Sequence, residues 1–288
     1  MTSSRLWRSL PWNGLGVLPF VLFAVLFLLL PTAHIVAGAF VDAAGGFTLK
    51  NIFNLFRPEI INAFWLSIRL SLTSAVIGCG IGFAIALAVV FGGLPRGLRG
   101  VVMTFSGVTS NFAGVPLAFA YVATLGRVGF VTVLLRDWFG VNLYALGFNM
   151  ISFWGLTAAY VFFQIPLMVL IITPAIDGLR REWREAAEVL GASNAQYWRL
   201  VALPVLAPSL LGTLALLFAN AFGAVATAIA LTGSLLSIAP ILLFNQIRGD
   251  VLGDPHLGYA LAFAMIVITG VSNGVYVVMR ARAERWLK

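Results

Sequence analysis

Six stretches of this chain are apolar over about twenty residues or more, and they constrain its fold more than any other feature. They lie at about 16–40, 62–91, 101–125, 150–175, 205–232 and 257–279. A helix inside a bilayer satisfies its own backbone hydrogen bonds, which makes it the expected form of such stretches. With 61% hydrophobic and 10% charged residues, a soluble globular protein is excluded. The sequence therefore predicts an all-α integral membrane protein, with six transmembrane helices in one domain over residues 1–288.

The first apolar stretch has a second reading, as a cleavable signal peptide. Arg5 and Arg8 precede it, and Ala37-Gly38-Ala39 near its end resembles a cleavage site. The stretch is, however, much longer than the roughly 7–15 apolar residues of a signal peptide. We therefore expect an uncleaved membrane span.

The distribution of basic residues predicts the orientation, because loops rich in Lys and Arg stay in the cytoplasm. With the N-terminus in the cytoplasm, twelve basic residues fall on that side: Arg5, Arg8, Arg96, Arg99, Arg180, Arg181, Arg184, Arg199, Arg280, Arg282, Arg285 and Lys288. The outer side then has only Lys50, Arg57, Arg127, Arg136 and Arg248. Both termini are expected in the cytoplasm. The net charge of +8 then faces anionic lipid rather than nucleic acid.

Motifs for catalysis are missing from the sequence. There is no Gly-Lys pair and hence no P-loop for ATP, and neither His-Glu-x-x-His nor Gly-x-Ser-x-Gly occurs. His34 and His256 lie at opposite ends of the chain, and Cys79 is the only cysteine, which excludes a disulfide framework and a thiolate metal site. We expect no enzymatic activity, no metal and no cofactor on this chain. Energy for any transport must come from a partner.

The densest charge lies between the fourth and fifth apolar stretches, over residues 177–204. At helical spacing, Glu182, Glu185 and Glu188 share one side, and an apolar side carries Trp183, Ala186, Ala187 and Leu190. Gly191 is typical of a helix C-terminus. Ser193 and Gln196 fit a capping box, so a second short helix is expected there. Pro204 suits the first turn of the next membrane helix. An amphipathic linker with merely solvated charges is the alternative.

This segment resembles the EAA loop of type I ABC importer permeases, the membrane subunits of binding-protein-dependent uptake systems. The family pattern is Glu-Ala-Ala, three residues, Gly, nine residues, Ile, one residue, Leu-Pro. The chain matches it with Glu185, Ala186, Ala187, Gly191, Leu203 and Pro204, and has Val201 in the Ile place. The resemblance implies that the segment forms coupling helices, seated in a groove of a separate ATPase subunit.

The same resemblance implies the partners and the location. They are two ATPase subunits that hold ATP and Mg²⁺, a second permease subunit (a different chain or a copy), and an extracytoplasmic solute-binding protein. The chain would be a multi-pass protein of the bacterial inner membrane that works by alternating access. Glu185 would anchor the segment by charge-assisted hydrogen bonds, Ala186 and Ala187 would allow a close contact, and Gly191 would set the bend.

Polar residues inside the spans are candidates for a translocation path, because they are costly there unless paired or hydrated. Asn111 ends a polar cluster, Ser106 to Asn111, close to Pro116, and it either lines a path or satisfies backbone freed by the proline. Asn220 and Thr227 lie among small residues that permit close helix packing, so path and packing both remain open. Arg69 either belongs to the path or extends toward the outer headgroups.

The substrate is less constrained. Residues 220–233 and the coupling segment resemble the polyamine and 2-aminoethylphosphonate branch of these permeases, which predicts such a substrate. Importers of iron, thiamine, sulfate and molybdate share the same architecture. Two other functions remain possible on the sequence: a self-powered secondary transporter or channel, which needs ionisable residues at mid-membrane, and a membrane-embedded enzyme or scaffold.

Overall fold

A computed structural model of the protein describes residues 16–42, 44–248 and 255–286. In that part of the chain, the only β-structure is an isolated antiparallel bridge between Val41 and Phe47. Six helical segments are long and apolar enough to cross a membrane: Leu18–Gly38, Pro58–Phe91, Gly114–Phe139, Phe153–Asp177, Asn194–Phe222 and His256–Ala283. The predicted all-α membrane fold is thereby confirmed. Arg5, Arg8 and Lys288 lie outside the described residues.

One compact unit comprises the described residues 16–42, 44–57, 246–248 and 255–264. Its first helix, α1 (Leu18–Gly38), buries none of its side chains and contains a π-helical turn at Val25–Leu29, just before Leu30-Pro31. Gly38 makes room for a ring, because a Cβ there would lie 2.8 Å from Tyr259 Cδ2. The side chain of Asn51, in the short helix α2 (Lys50–Asn54), donates hydrogen bonds to the carbonyls of Ala39 and Val41.

The second unit comprises residues 58–245 and 265–286 of the described chain, and its core is a close pair of long helices. Helix α3 (Pro58–Phe91) packs on a later one, Phe153–Asp177, through glycines. A Cβ on Gly78 would lie 2.7 Å from Gln164 Cβ, and one on Gly82 would lie 2.6 Å from Met168 Cβ. Small residues allow this approach in a membrane, where helices associate by packing and interhelical hydrogen bonds. Gln164 provides one such bond, donated to Ser74 Oγ at 3.0 Å.

The third and fifth spans are interrupted, which corrects the sequence prediction of continuous helices at 101–125 and 205–232. The stretch predicted as the third span contains α4 (Arg96–Ser110) and α5 (Gly114–Leu125). The segment Gly114–Phe139, which is long enough to cross a membrane, comprises α5 and α6 (Phe130–Phe139). After α7 (Phe153–Asp177) and α8 (Arg181–Val189), the fifth span consists of α9 (Asn194–Phe222) and α10 (Val225–Thr232). Gly114, with φ of +73°, interrupts the third span where a residue with a side chain would be strained.

The last two helices in the described part of the chain are α11 (Ala239–Arg248) and α12 (Pro255–Trp286). The second half of α12 belongs to the second unit and contacts α9 there. Ser272 Oγ donates a 2.7 Å hydrogen bond to the carbonyl of Ala215, and a Cβ on Gly212 would lie 3.2 Å from Met279 Cβ. This close contact fixes α12 against the first half of the fifth span.

Candidate coupling segment and translocation cavity

The C-terminus of α8 and the start of the following helix have the geometry expected from the sequence. Gly191 has a φ of +78°, and its N–H donates to the carbonyl of Glu188. The N–H of Ala192 donates to the carbonyl of Ala187 at 2.9 Å, which completes a Schellman motif. Two residues later Ser193 and Gln196 form the predicted capping box. The break and the restart of the helix are therefore both set by local hydrogen bonds.

The exposed face of α8 differs from the predicted one. Trp183 and Ala187 are half-buried as expected, but Ala186 and Leu190 are exposed together with the acidic residues. Arg181, Arg184 and Glu188 are exposed as well, and Glu185 lines a cavity beside the helix. We call the exposed residues Glu182, Glu185, Ala186, Val189 and Leu190 the outward face of α8. Val189 and Leu190 are 88% and 86% exposed, an uncommon position for large apolar side chains at the end of a charged helix. They make this face suited to a protein partner.

The second half of the coupling segment is continuous with the fifth span. Residues Asn194–Phe222 form one helix of 29 residues, in which a π-helical turn occupies Trp198–Ala202. The N–H of Leu203 donates to the carbonyl of Trp198 across this turn. Pro204 has no N–H to donate, and the wider turn lets the helix pass through it. Pro204 lies in the first turn of the α-helix Leu203–Phe222, as expected, and the π-helical turn joins that helix to the residues before it.

The segment contacts the ends of α3, α4 and α7. Trp198 packs edge-on against Phe91, with ring centroids 5.8 Å apart. Arg99, in the first turn of α4, forms an ion pair with Asp177, the last residue of α7. Both residues line a cavity of about 1110 Å³ beside α8. The coupling segment therefore contacts α3 through Trp198, and its first residue, Asp177, joins the end of α7 to the start of α4.

The interruptions of the third and fifth spans lie next to each other. The N–H of Gly114, which begins α5, donates a 2.8 Å hydrogen bond to Thr227 Oγ1 in α10. Tyr160 Oη donates a 2.7 Å hydrogen bond to the carbonyl of Ala224, just before α10. A backbone group freed by a helix break needs such a partner inside a membrane. These two bonds explain how both breaks persist in an apolar environment.

A cavity of about 450 Å³ lies at these breaks. Asn111, Asn220 and Thr227, three of the predicted path residues, line it together. The other lining residues are Ser110, Ala113, Gly114, Phe163, Ala219, Gly223, Ala224, Val225 and Ala226. None of these described residues is ionisable. Since each broken span brings both a helix C-terminus and a helix N-terminus to the cavity, the helix dipoles largely offset each other.

Arg69, the fourth predicted path residue, does not line this cavity. Its guanidinium carbon lies 5.6 Å from the ring centroid of Phe153, the first residue of α7. That position is at the opposite end of α7 from Asp177 and the coupling segment. The side chain is exposed, as expected for an arginine that extends toward headgroups.

A larger cavity, of about 700 Å³, lies at the C-terminal end of α5. Tyr144 and Arg127 line it, and the Arg127 guanidinium carbon is 5.4 Å from the Tyr144 ring centroid. Tyr144 Oη donates a 2.9 Å hydrogen bond to the carbonyl of Leu125. Burial raises the pKa of Tyr144, and the charge of Arg127 lowers it by a smaller amount. The phenol therefore stays neutral and remains a hydrogen-bond donor at physiological pH.

Several of these residues were not predicted as functional. The helical periodicity of the sequence assigned Leu190 to the buried face and did not single out Val189. Tyr160 and Gly114 act through contacts 64 and 113 residues away in the chain, for which one sequence carries no signal. In the described part of the chain, no three His, Cys, Asp or Glu side chains are grouped as metal ligands.

These features define a class: an α-helical membrane transport subunit with two interrupted spans and an exposed, charged helix between its fourth and fifth spans. Comparison with known proteins identifies the family. Residues 78–287 match the family described as the binding-protein-dependent transport system inner membrane component, and the chain belongs to it. It is thus a permease subunit of an ATP-driven importer in the bacterial inner membrane, and it is not an enzyme.

The relatives include permeases named for sulfate. The sulfate transport system permease protein CysT of Salmonella typhimurium is 26% identical over 255 residues, covering 85% of this chain and 84% of the relative. A probable sulfate transport system permease protein of Anthoceros angustus is 36% identical over 121 residues, 41% of this chain and 42% of that one. Neither is named for a polyamine or a phosphonate, so the predicted substrate gains no support from them.

A solved structure has the same fold. A bacterial alginate ABC transporter, in complex with its alginate pentasaccharide-bound periplasmic protein, contains a chain that superposes with a TM-score of 0.70. The match covers 99% of both chains at 19% sequence identity. At this identity the likeness supports the fold of the chain and not its substrate.

Proposed function

We propose that this permease carries its solute through the cavity at the two helix breaks, driven by an ATPase that binds the outward face of α8. The observation that carries the proposal is the continuity of α9, which begins in the coupling segment and ends at the cavity. Its 29 residues extend over about 43 Å at 1.5 Å per residue. A displacement of α8 would thus reach Asn220 through the bend at Gly191 and one continuous helix.

The proposed contacts on α8 divide into two kinds. Glu185 would accept charge-assisted hydrogen bonds from the ATPase. Val189 and Leu190 would insert into an apolar part of its groove. Ala186, one turn earlier on the same face, would let the ATPase approach α8 closely. Gly191 would hold the bend that lets α8 lie across the ends of the spans. Leu203 and Pro204 act in α9, past the π-helical turn, and would transmit the movement.

The partners follow from this arrangement and from the family. Two ATPase subunits would hold ATP and Mg²⁺, and this chain would bind neither. A second permease subunit, whether a relative or a copy, would supply the other half of the path. A solute-binding protein would deliver the solute from outside. The apolar and unburied α1 offers a surface for the bilayer or for the second permease.

For the substrate we propose a small anionic solute of the oxyanion class. Support comes from the relatives named for sulfate transport, and from a cavity lined by hydroxyl, amide and backbone groups without a carboxylate to receive a polyamine. A path with a neutral lining suits passage, since tight binding would slow release. Selection of the anion would then rest mainly with the binding protein. An aminoalkylphosphonate belongs to the same anionic class and remains an alternative.

The coupling proposal is tested by charge and backbone changes in α8. In vesicles that contain the complete importer, Glu185→Lys and Gly191→Pro are expected to abolish most ATP-driven uptake while the permease remains inserted. Glu59→Lys, which reverses another exposed acid at the start of α3, serves as the matched control and should transport normally. Unchanged uptake by both α8 variants would refute the proposal, and uptake without any ATPase would favour the secondary transporter.

The substrate is tested with the same vesicles and the associated binding protein. ATP-dependent accumulation of radiolabelled sulfate is expected. Excess unlabelled 2-aminoethylphosphonate or spermidine should reduce this accumulation only if the added compound is itself a substrate. Accumulation of labelled spermidine would contradict the anionic class. Accumulation of the phosphonate and not sulfate would keep the class and replace the solute.

A further inference from the structure

A third cavity, of about 350 Å³, lies between α7, α9 and α12, away from the proposed path. Leu170, Ile171 and Ala175 of α7 form an apolar wall. Tyr276 and Arg280 of α12 face them across the cavity. Its volume lies within the roughly 300–1,000 Å³ that is common for ligand pockets. Nothing in the coupling or transport scheme uses it.

The depth of the cavity places it in one leaflet. Pro174, at one edge, is three residues from the end of α7, whereas Thr213 is ten residues beyond Leu203 in α9. At 1.5 Å per residue the cavity reaches about 15 Å inward, half of a hydrocarbon core of about 30 Å. Asp177 and Leu203 both belong to the coupling segment, so the leaflet is the cytoplasmic one, an assignment that rests on the proposed function.

Close helix packing and hydrogen bonds hold the walls of this cavity in place. Gly212 brings the backbone of α9 close to α12, and Ser272 Oγ donates a hydrogen bond to the carbonyl of Ala215 nearby. Thr213 Oγ1 donates to the carbonyl of Ser209 within α9. The cavity is therefore built into the packing of three helices, apolar at depth and cationic at its cytoplasmic edge.

We propose that this cavity binds an anionic phospholipid, with an acyl chain against α7 and the phosphate beside Arg280. Charge decides between the candidate occupants. The last nine residues contain Arg280, Arg282, Arg285 and Lys288 against Glu284, a net charge of +3. A second copy of the chain would present the same positive charge, whereas an anionic headgroup is attracted to such a cytoplasmic cluster.

The test measures lipid binding to the complete importer in nanodiscs that contain phosphatidylglycerol and phosphatidylcholine. Spin-labelled or photoreactive lipids report the preference of the site. Wild type is expected to favour phosphatidylglycerol, and Arg280→Gln should reduce that preference about fivefold, the effect of one cation near an anionic surface. Ser209→Phe, which fills the cavity, should reduce the binding of both lipids.

Two variants outside the cavity are the matched controls. Neither Arg282 nor Val278 lines the cavity. Arg282→Gln removes a charge of the same cluster and should reduce the preference for phosphatidylglycerol less than Arg280→Gln does, whereas Val278→Phe should leave it unchanged. Equal losses in Arg282→Gln and Arg280→Gln, or no loss in Arg280→Gln and Ser209→Phe, would overturn the proposal. Displacement of the label by millimolar inorganic phosphate would overturn it in favour of a small-anion site. Cross-linking of a Ser209→Cys variant to the other permease would identify a protein interface instead.

Lipid binding is measured without ATP and without solute. Its failure would therefore leave the coupling proposal untouched. Conversely, normal transport by the α8 variants would refute the coupling proposal and would not affect the evidence for lipid binding in this cavity.

Discussion

Replacement of Thr227 by valine would test the contact that joins the two helix breaks. The change keeps the shape of a side chain that is 1% exposed and removes the acceptor of the Gly114 N–H, 2.8 Å away. An unsatisfied buried donor costs about 1–3 kcal/mol, but interhelical hydrogen bonds in membranes average only about 0.6 kcal/mol. Because Gly114 is half-buried and borders a cavity, water can reach its N–H. We therefore expect a loss of about 1 kcal/mol in the free energy of unfolding, or about fivefold in the ratio of folded to unfolded protein.

The assay is reversible unfolding of the purified permease in mixed detergent micelles, followed by tryptophan fluorescence. Thr227→Ser keeps the hydroxyl and should retain most of the stability. Thr232→Val is the matched control, because Thr232 is equally buried but donates its hydrogen bond to Ala228 in its own helix. If Thr227→Val lowers the free energy of unfolding no more than Thr232→Val does, the contact between the breaks has no energetic role.

Two further predictions use the same unfolding assay. Gly82→Ala should destabilise the permease by about 1–3 kcal/mol, because its Cβ would lie 2.6 Å from Met168 Cβ and 2.8 Å from the carbonyl oxygen of Ile165. Gly80→Ala in the same helix, with no atom within 4 Å of its Cβ, should instead stabilise by about 0.5–1 kcal/mol; equal effects would contradict close packing. Arg99→Gln should cost less than about 1 kcal/mol, because its ion pair with Asp177 is solvent-exposed, and a larger loss would reveal a structural role.

The spans and the coupling segment could be predicted because their signals are local. An apolar run of membrane length needs no knowledge of its neighbours. The same holds for the end of α8 at Gly191 and the capping box of Ser193 and Gln196, since every hydrogen bond involved connects residues within five positions of each other. The family resemblance used this same local segment.

The helix breaks could not be predicted because distant residues stabilise them. A polar cluster precedes Gly114 and small residues surround Ala224, but polar and small residues also occur inside continuous spans, and Pro116 lies within α5 rather than at the break. What satisfies their backbone groups is Thr227 and Tyr160, in other helices. The grouping of Asn111, Asn220 and Thr227 around one cavity depends on those breaks. The sequence therefore predicts these three residues only as separate candidates and does not predict that they share a cavity.

The π-helical turn at Trp198–Ala202 has a consequence for how this chain can vary in length. Such a turn holds one more residue than the α-helix around it, so removal of one residue there can be absorbed locally. Removal of one residue between Leu206 and Phe218 would instead rotate everything that follows by about 100°. Asn220 would then point away from the cavity, so insertions and deletions in this span should be confined to the turn.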